Sequence, residues 1–134
     1  MSLKVRKLTD EDFNTLNEWW RDNRFPTPPK DALPENGTGG IMIHKNGVDI
    51  CAGFIYFTNS KIMWIEYIVA NFDYRETDRK HAINVLISEL CGIGKRKGFK
   101  YAYTSLKNEN LIKRFEEVGF TKAYSNTTEM VVTL

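Results

Sequence analysis

One stretch, from Ile62 to Leu106, constrains the fold of this chain more than any other. It begins with a nearly continuous apolar run, Ile62 to Val69, which is typical of a buried strand. A charged turn and an amphipathic helix follow, and Gly98 is the predicted end of that helix. Tyr101 to Leu106 predicts another strand. A strand, a helix and a strand in this order predict two parallel strands joined by a crossover.

The segments on either side of this unit predict further strands and helices. Asn46-Gly47 lies between two apolar runs, which is the strongest short-range signal of an antiparallel hairpin. Leu3 to Leu8 predicts a first strand, and Thr9 is the predicted N-cap of a helix that ends near Asn23. Thr121 to Leu134 predicts one or two more strands.

These segments together predict an α+β fold in one domain over residues 1–134. Its sheet is expected to be mixed and mostly antiparallel, with six or seven strands, helices on both faces and one central β-α-β crossover. The chain has 134 residues, enough for one core and too few for two ordinary domains.

Composition narrows the class of protein. Hydrophobic residues make up 42% of the chain and charged residues 27%, and no apolar run is long enough to span a bilayer. The net charge of +2 gives no strong field toward nucleic acid, so nucleic acid is not the expected partner. Cys51 and Cys91 have no repeated spacing, which favours buried thiols of a cytoplasmic protein over a disulfide or a metal site.

The charged turn from Asp73 to Lys80 comes where a strand leads into the start of a long helix. A helix N-terminus offers free N–H groups and the positive end of a dipole, so this position suits a phosphate. A capped, solvated helix start is the simpler alternative. The loop from Arg24 to Gly40 holds all four prolines and is about 17 residues long, a length more typical of functional or disordered loops.

The order of these elements resembles the GCN5-related N-acetyltransferases, the GNAT family. Val69 ends the predicted fourth strand as in that family, and Asp73-Tyr74-Arg75 resembles the entry to its phosphate-binding turn. A later segment has the family's spacing in Asn108, Leu111, Phe115, Glu116, Gly119 and Phe120. The topology covers the whole chain, whereas the specific motifs cover about half of it.

The resemblance implies acetyl-CoA as co-substrate, bound between the fourth and fifth strands where they diverge, with a bulge in the fourth. The pantetheine arm would pair with the main chain near Tyr67, Ile68 and Val69. The pyrophosphate would lie on the turn and the helix start. The remaining cofactor residues that the resemblance implies are Arg75, Thr77, Asp78, Arg79, Lys80 and Asn108.

The chain departs from the family pattern at the turn and at the usual tyrosine. Asp78 and Lys80 stand where two glycines are expected. The carboxylate of Asp78 would repel phosphate unless it caps the helix, a role that Thr77 could also fill, whereas Lys80 can pair with phosphate. Phe115 stands where the family commonly has a tyrosine that protonates the leaving thiolate. Phenylalanine cannot donate a proton, and we expect it to pack in the core.

Glu66 is the candidate catalytic residue because it is the only ionisable side chain in its apolar strand. Partial burial would raise its pKa and suit it to act as a general base toward an ammonium group. Alternatively, Glu66 lies on the open face of the sheet or forms an ion pair with a nearby Lys or Arg, without a catalytic role. The candidate substrate-binding residues are Trp20, Arg24 and His44, although one of Trp19 and Trp20 should be core and a lone histidine is more often a surface residue.

The leading functional prediction is a cytoplasmic N-acetyltransferase that transfers an acetyl group to an amine by direct attack. The amine is on a small molecule or a protein, and a homodimer is left open. One alternative is a non-catalytic GNAT-fold binding module, which the missing glycines and tyrosine favour. Another is a GNAT-like enzyme acting on nucleic acid bases.

Overall fold

The computed structural model describes residues 2–134 and divides them into five strands and three α-helices. The strands are β1 (Lys4–Lys7), β2 (Gly40–Lys45), β3 (Val48–Phe57), β4 (Ile62–Ala70) and β5 (Tyr101–Tyr103). The helices are α1 (Asp12–Asp22), α2 (Arg79–Arg96) and α3 (Glu109–Val118). The long loop before β2 also contains two short 3-10 turns, Lys30–Ala32 and Pro34–Gly37.

The sheet confirms the predicted mixed, mostly antiparallel arrangement, but the β-α-β crossover joins the last two strands at one edge of the sheet and not at its centre. Its order is β1-β2-β3-β4-β5, in which the first four strands are antiparallel neighbours and β4 pairs with β5 in parallel. The hairpin between β2 and β3 turns at Asn46 and Gly47, which have φ angles of 53° and 77°. Positive φ at both positions is what a two-residue hairpin requires, and Asn-Gly adopts it readily.

Helices pack on both faces of the sheet, as predicted. On one face α2 and α3 bury Leu86, Leu90 and Phe115 against alternate strand residues such as Ile43 and Ile65. On the other face, α1 covers a second core that includes Leu16, Trp19, Trp20, Met42, Phe54 and Val69. Apolar residues therefore fill both sides of β3, which explains its long apolar run.

The helix ends agree largely with the sequence patterns. The side chain of Asn108 accepts a hydrogen bond from the N–H of Leu111 at 3.0 Å and so caps α3. Gly119 follows α3 with a φ of 116°, and Gly98 follows α2 with a φ of 92°. The start of α1 differs: Thr9 does not cap it, and the carboxylate of Asp12 instead accepts the N–H of Thr9 at 2.8 Å.

Two predictions about the C-terminal third were wrong. The described residues form five strands and not six or seven, because residues 121–134 are exposed and have no strand. The short apolar run at Val131 and Val132 follows a polar stretch and packs on no core. The fifth strand ends at Tyr103 rather than Leu106, because its pairing with β4 ends there.

Candidate active site

A bulge in β4 shapes the site. Ala52 pairs with Val69 and Phe54 pairs with Glu66, so the single residue Gly53 stands opposite both Tyr67 and Ile68. Tyr67 has a φ of 58°, a conformation that a bulky residue rarely adopts without surrounding support. Its ring has that support from Trp20, whose ring centroid is 6.2 Å away. The bulge is the feature that the family resemblance predicted in this strand.

The bulge coincides with the divergence of β4 from β5. The two strands pair only from Ile62 opposite Tyr101 to Trp64 opposite Tyr103, although β4 continues to Ala70. Beyond Trp64 the β5 side of the β4 main chain therefore has no strand partner. Unpaired N–H and C=O groups of this kind can bind an extended ligand as an added strand. Tyr67, Ile68 and Val69 lie in this unpaired part of β4, where the resemblance predicts a gap.

Glu66 lies at the point where the gap opens. Its Oε1 atom accepts the N–H of Ser105 at 2.9 Å and the hydroxyl of Thr104 at 3.4 Å, so its side chain reaches from β4 to the segment after β5. Partial burial raises the pKa of this carboxyl above its usual value, and the charge of Glu129 adds to the rise. The two hydrogen bonds act in the opposite direction. Glu66 is thus partly buried and hydrogen-bonded, and it forms no ion pair within residues 2–134.

An open cavity of about 400 Å³ adjoins Glu66. Its lining combines the end of the β4–β5 pairing with three residues of the C-terminal tail: Trp64, Glu66, Ser105, Thr127, Thr128 and Glu129. The tail therefore forms one wall of the cavity although it forms no strand. A small molecule in this cavity would contact Glu66 directly.

The start of α2 lies next to the end of β4, and neither of the two candidate capping residues caps it. Asp78 occupies the N-cap position but makes no side-chain capping bond, and Thr77 makes none either. Instead, the carboxylate of Asp78 accepts the ammonium of Lys45 at 2.8 Å and the hydroxyl of Tyr74 at 2.6 Å. These partners hold the pKa of Asp78 below its usual value, with Lys45 the larger cause. The ion pair with Lys45 thereby neutralises the charge that would oppose phosphate.

Arg79 is the second unusual group at this helix start. Its Nε atom is buried and has no hydrogen-bond partner within the described residues. Burial lowers the pKa of Arg79. The positive charge of the neighbouring Arg75 lowers it further. The Arg75 guanidinium stacks on the ring of Phe72 at 4.6 Å, and Lys80 is exposed beside them. Neighbouring cations with an unpartnered donor are favourable surroundings for an anion.

The structure does not bring all predicted substrate residues to this site. Trp20 is only 1% exposed and packs on Phe54, so it belongs to the core and touches the site only through Tyr67. His44 pairs with Lys4 and Asp49, whereas Glu66 lies across the sheet from Gly40, four residues or ~13 Å further along β2. Arg24 is exposed just after α1, near the end of β4.

The two remaining predicted residues have structural roles. Phe115 is 2% exposed and packs edge-on against Phe120 with ring centroids 4.9 Å apart, which confirms the prediction of core packing. The Asn108 side chain is engaged as the cap of α3, so only its exposed faces remain for a ligand. No hydroxyl donor takes the place of the usual tyrosine at position 115.

Sequence reasoning missed three partners of this site. Lys45 neutralises Asp78, Ser105 binds Glu66, and Tyr56 donates a hydrogen bond to the carbonyl of Ala32 at 2.7 Å, tying the long loop to β3. Each contact joins residues 24 to 39 positions apart. No local pattern marks such pairs.

Residues 2–134 contain neither a metal-binding cluster nor a membrane-spanning helix. No group of three or more His, Cys, Asp or Glu side chains in this range is arranged to hold a metal ion. In the same range, every helix is too short or too polar to cross a membrane.

Comparison with known proteins shows that solved acetyltransferases have a similar fold. No model of a known protein family and no curated protein sequence matches the chain. Its structure is similar to the ribosomal-protein-S18-alanine N-acetyltransferase from Escherichia coli, with a TM-score of 0.73, 16% identity and coverage of 92% of this chain and 80% of that one. A Trypanosoma brucei acetyltransferase has a TM-score of 0.67 and 19% identity over 98% of this chain and all of the other.

A third similar structure contains a ligand. It is AAC(6')-Iy in complex with the bisubstrate analogue CoA-S-monomethyl-acetylneamine, with a TM-score of 0.67, 17% identity and coverage of 99% of this chain and 100% of that one. At identities this low, the likeness establishes the fold alone. The chain therefore has the GNAT fold of these acetyltransferases.

Proposed function

We propose that this protein is an acetyl-CoA-dependent N-acetyltransferase. The observation that carries the proposal is the gap between β4 and β5, which begins after Trp64 and ends beside the uncapped start of α2. A strand edge with free main-chain groups next to a cationic helix start fits a ligand that has an amide-rich arm and a phosphate end. Acetyl-CoA has both parts.

The residues at each end of the gap fit this ligand. Main-chain groups of Tyr67, Ile68 and Val69 would bind the pantetheine arm. Arg79, Arg75 and Lys80 would bind the pyrophosphate together with the free N–H groups of α2. The unpartnered Nε of Arg79 supports this assignment, because a buried donor without an acceptor is otherwise costly. The ion pair of Asp78 with Lys45 removes the repulsion that its carboxylate would cause.

Acetyl-CoA would supply an acetyl group activated as a thioester. In the proposed reaction, an ammonium group first gives a proton to Glu66, directly or through water, and becomes a nucleophilic amine. The amine nitrogen then forms a bond to the acetyl carbon while the bond from that carbon to sulfur breaks. The departing thiolate takes its proton from solvent, because Phe115 has none to give, and the nitrogen of the new amide releases its extra proton to solvent.

A second candidate is a module that binds the cofactor without transferring its acetyl group. Its support is the buried phenyl ring of Phe115 in place of a proton donor and the hydrogen bonds that already engage Glu66. A base-modifying enzyme has less support, because the cavity beside Glu66 carries carboxyl groups that would repel a nucleic acid backbone.

Isothermal titration tests the proposal, with acetyl-CoA and with acetyl-pantetheine, which lacks the phosphates. We expect acetyl-CoA to bind, and Arg79→Ala to weaken it by about 10-fold or more while acetyl-pantetheine is unaffected. Release of free thiol in the presence of amines then separates transfer from binding. No binding of acetyl-CoA at millimolar concentration would refute the proposal, and binding without thiol release would favour the module.

A further inference from the structure

Aromatic side chains surround Glu66 on the sheet face opposite α2. Tyr56 pairs with Trp64, and Trp64 pairs with Tyr103 on the next strand. Residues that pair across strands point to the same face, so these rings form a row across the end of the sheet. The rings of Trp64 and Tyr103 are 5.1 Å apart, and those of Tyr56 and Tyr67 are 6.5 Å apart.

These rings remain accessible to a ligand. Tyr103 is 44% exposed and Tyr67 is 39% exposed, although both are large aromatic residues. The core under α1 includes Trp20 and Phe54 but not Tyr103, so the helix leaves this end of the face open. Exposed aromatic faces beside a carboxyl group favour a cation, because the face of a ring carries negative electrostatic potential.

The cavity beside these rings contains two carboxyl groups and no cation. Glu66 and Glu129 both line it, and its other lining residues, Trp64, Ser105, Thr127 and Thr128, are uncharged. The Oε2 atom of Glu66 has no hydrogen bond within the described residues, since both bonds go to Oε1. A ligand that brought its own carboxylate here would meet two like charges and find no lysine, arginine or histidine to pair with.

We propose that the amine acceptor of this site is an aliphatic diamine without a carboxylate, with one amine at Glu66 and the second ammonium at Glu129. The methylene chain between the two amines would lie along the aromatic rings. Calling the diamine an acceptor rests on the function proposed above. Glu129 is then a specificity residue, contributed by a tail that otherwise packs on no core.

Matched amines test this inference by binding alone. Putrescine and cadaverine differ from butylamine and pentylamine only by the second amine, and from ornithine and lysine only by the missing carboxylate. Because Trp64 lines the cavity, its fluorescence can report binding to the full chain without acetyl-CoA. We expect a diamine to bind about 10-fold more tightly than its monoamine and its amino acid. Equal affinity for ornithine and putrescine would overturn the inference.

Replacing Glu129 with an uncharged residue tests whether its carboxylate binds the second ammonium of the diamine. Glu129→Gln should weaken diamine binding by about 3- to 10-fold and leave monoamine binding unchanged, because it removes one ion pair. Glu18→Gln, an exposed carboxylate on α1, is the matched control and should change neither. An unchanged ratio of diamine to monoamine affinity in Glu129→Gln would refute the role of Glu129.

Transfer assays with the same amines distinguish this inference from the proposed function. Preferred diamine binding without acetylation would refute the transferase and leave the diamine site in place. Acetylation of butylamine or ornithine as fast as putrescine would support the transferase and overturn the diamine preference. Failure of both assays would refute both.

Discussion

At the scale of single residues, Glu66 shows how an apolar strand can carry a reactive group. Burial raises its pKa, and two donors from the opposite strand segment fix its position. A carboxyl whose pKa is raised by folding binds its proton more tightly in the folded state. Its contribution to stability is therefore present at low pH and is lost as the pH rises through the raised pKa. Near neutral pH, Glu66 is expected to disfavour folding.

Glu66→Gln should consequently separate activity from stability. Glutamine can still accept the N–H of Ser105, but it cannot take a proton from an amine. We expect turnover to fall by about 100-fold or more, acetyl-CoA affinity to stay the same, and the melting temperature at pH 7 to stay the same or rise. Steady-state kinetics, titration and calorimetry measure these three quantities. The activity of the wild-type protein should also decline as the pH falls through the raised pKa of Glu66. Full turnover in Glu66→Gln would exclude Glu66 as the base.

The ion pair between Lys45 and Asp78 gives a second prediction at this scale. Lys45→Ala should weaken acetyl-CoA binding by several-fold, because it leaves the Asp78 carboxylate unneutralised beside the helix start. The double variant Lys45→Ala, Asp78→Ala should restore most of the affinity. Isothermal titration measures both. If the double variant binds as weakly as the single one, Lys45 acts on the ligand itself and not through Asp78.

At the scale of elements, the lack of a side chain at one glycine lets α2 pack closely against the sheet. A Cβ at Gly94 would overlap the buried sulfur of Met63, whereas a Cβ at Gly92 would meet only the flexible end of Arg96 at 3.2 Å. The close approach of α2 to β4 therefore depends on Gly94. Gly53 has the corresponding role opposite the bulge, where a Cβ would come within 2.9 Å of Ile68.

Two alanine substitutions in α2 test this packing with the same change of helix propensity. Gly92→Ala should stabilise the protein by up to ~1 kcal/mol, since alanine favours a helix. Gly94→Ala gains the same propensity but forces Met63 to move, at a cost of about 1–3 kcal/mol. Urea denaturation should rank Gly94→Ala below Gly92→Ala by at least about 1 kcal/mol. Equal stability of the two variants would show that α2 can shift without cost.

At the scale of the whole molecule, the tail contributes to the cavity but little to the core. Tyr124, Met130 and Val131 are between 87% and 95% exposed. Residues 121–134 form no strand, although Thr127 to Glu129 line the cavity of Glu66. In the acceptor site proposed above, the tail would therefore contribute to ligand recognition but little to folding.

A chain ended after Thr121 should fold almost as stably as the full chain. The removed residues bury little apolar surface, so we expect the melting temperature to change by less than about 4 °C, which corresponds to about 1 kcal/mol. Circular dichroism during heating measures this. A large loss of stability would mean that the tail pairs with the sheet in solution.

Much of this fold could be predicted because its signals are local. The apolar run of β4, the Asn-Gly turn, the Asn108 cap and the glycines after α2 and α3 each act within a few residues. Those signals determined the order of elements and the parallel crossover. The same reasoning placed Glu66 in an otherwise apolar strand, whereas the gap beside Tyr67 was predicted only from the resemblance to the GNAT family.

Contacts between distant residues were decided only by the tertiary structure. Asp78 was a candidate cap of α2, but its carboxylate pairs instead with Lys45, 33 positions away. The predicted tail strands did not form because a short apolar run needs a long partner strand, and β5 ends after three residues. Local patterns determine which element a segment forms, whereas charge pairing and burial between distant segments decide where its side chains go.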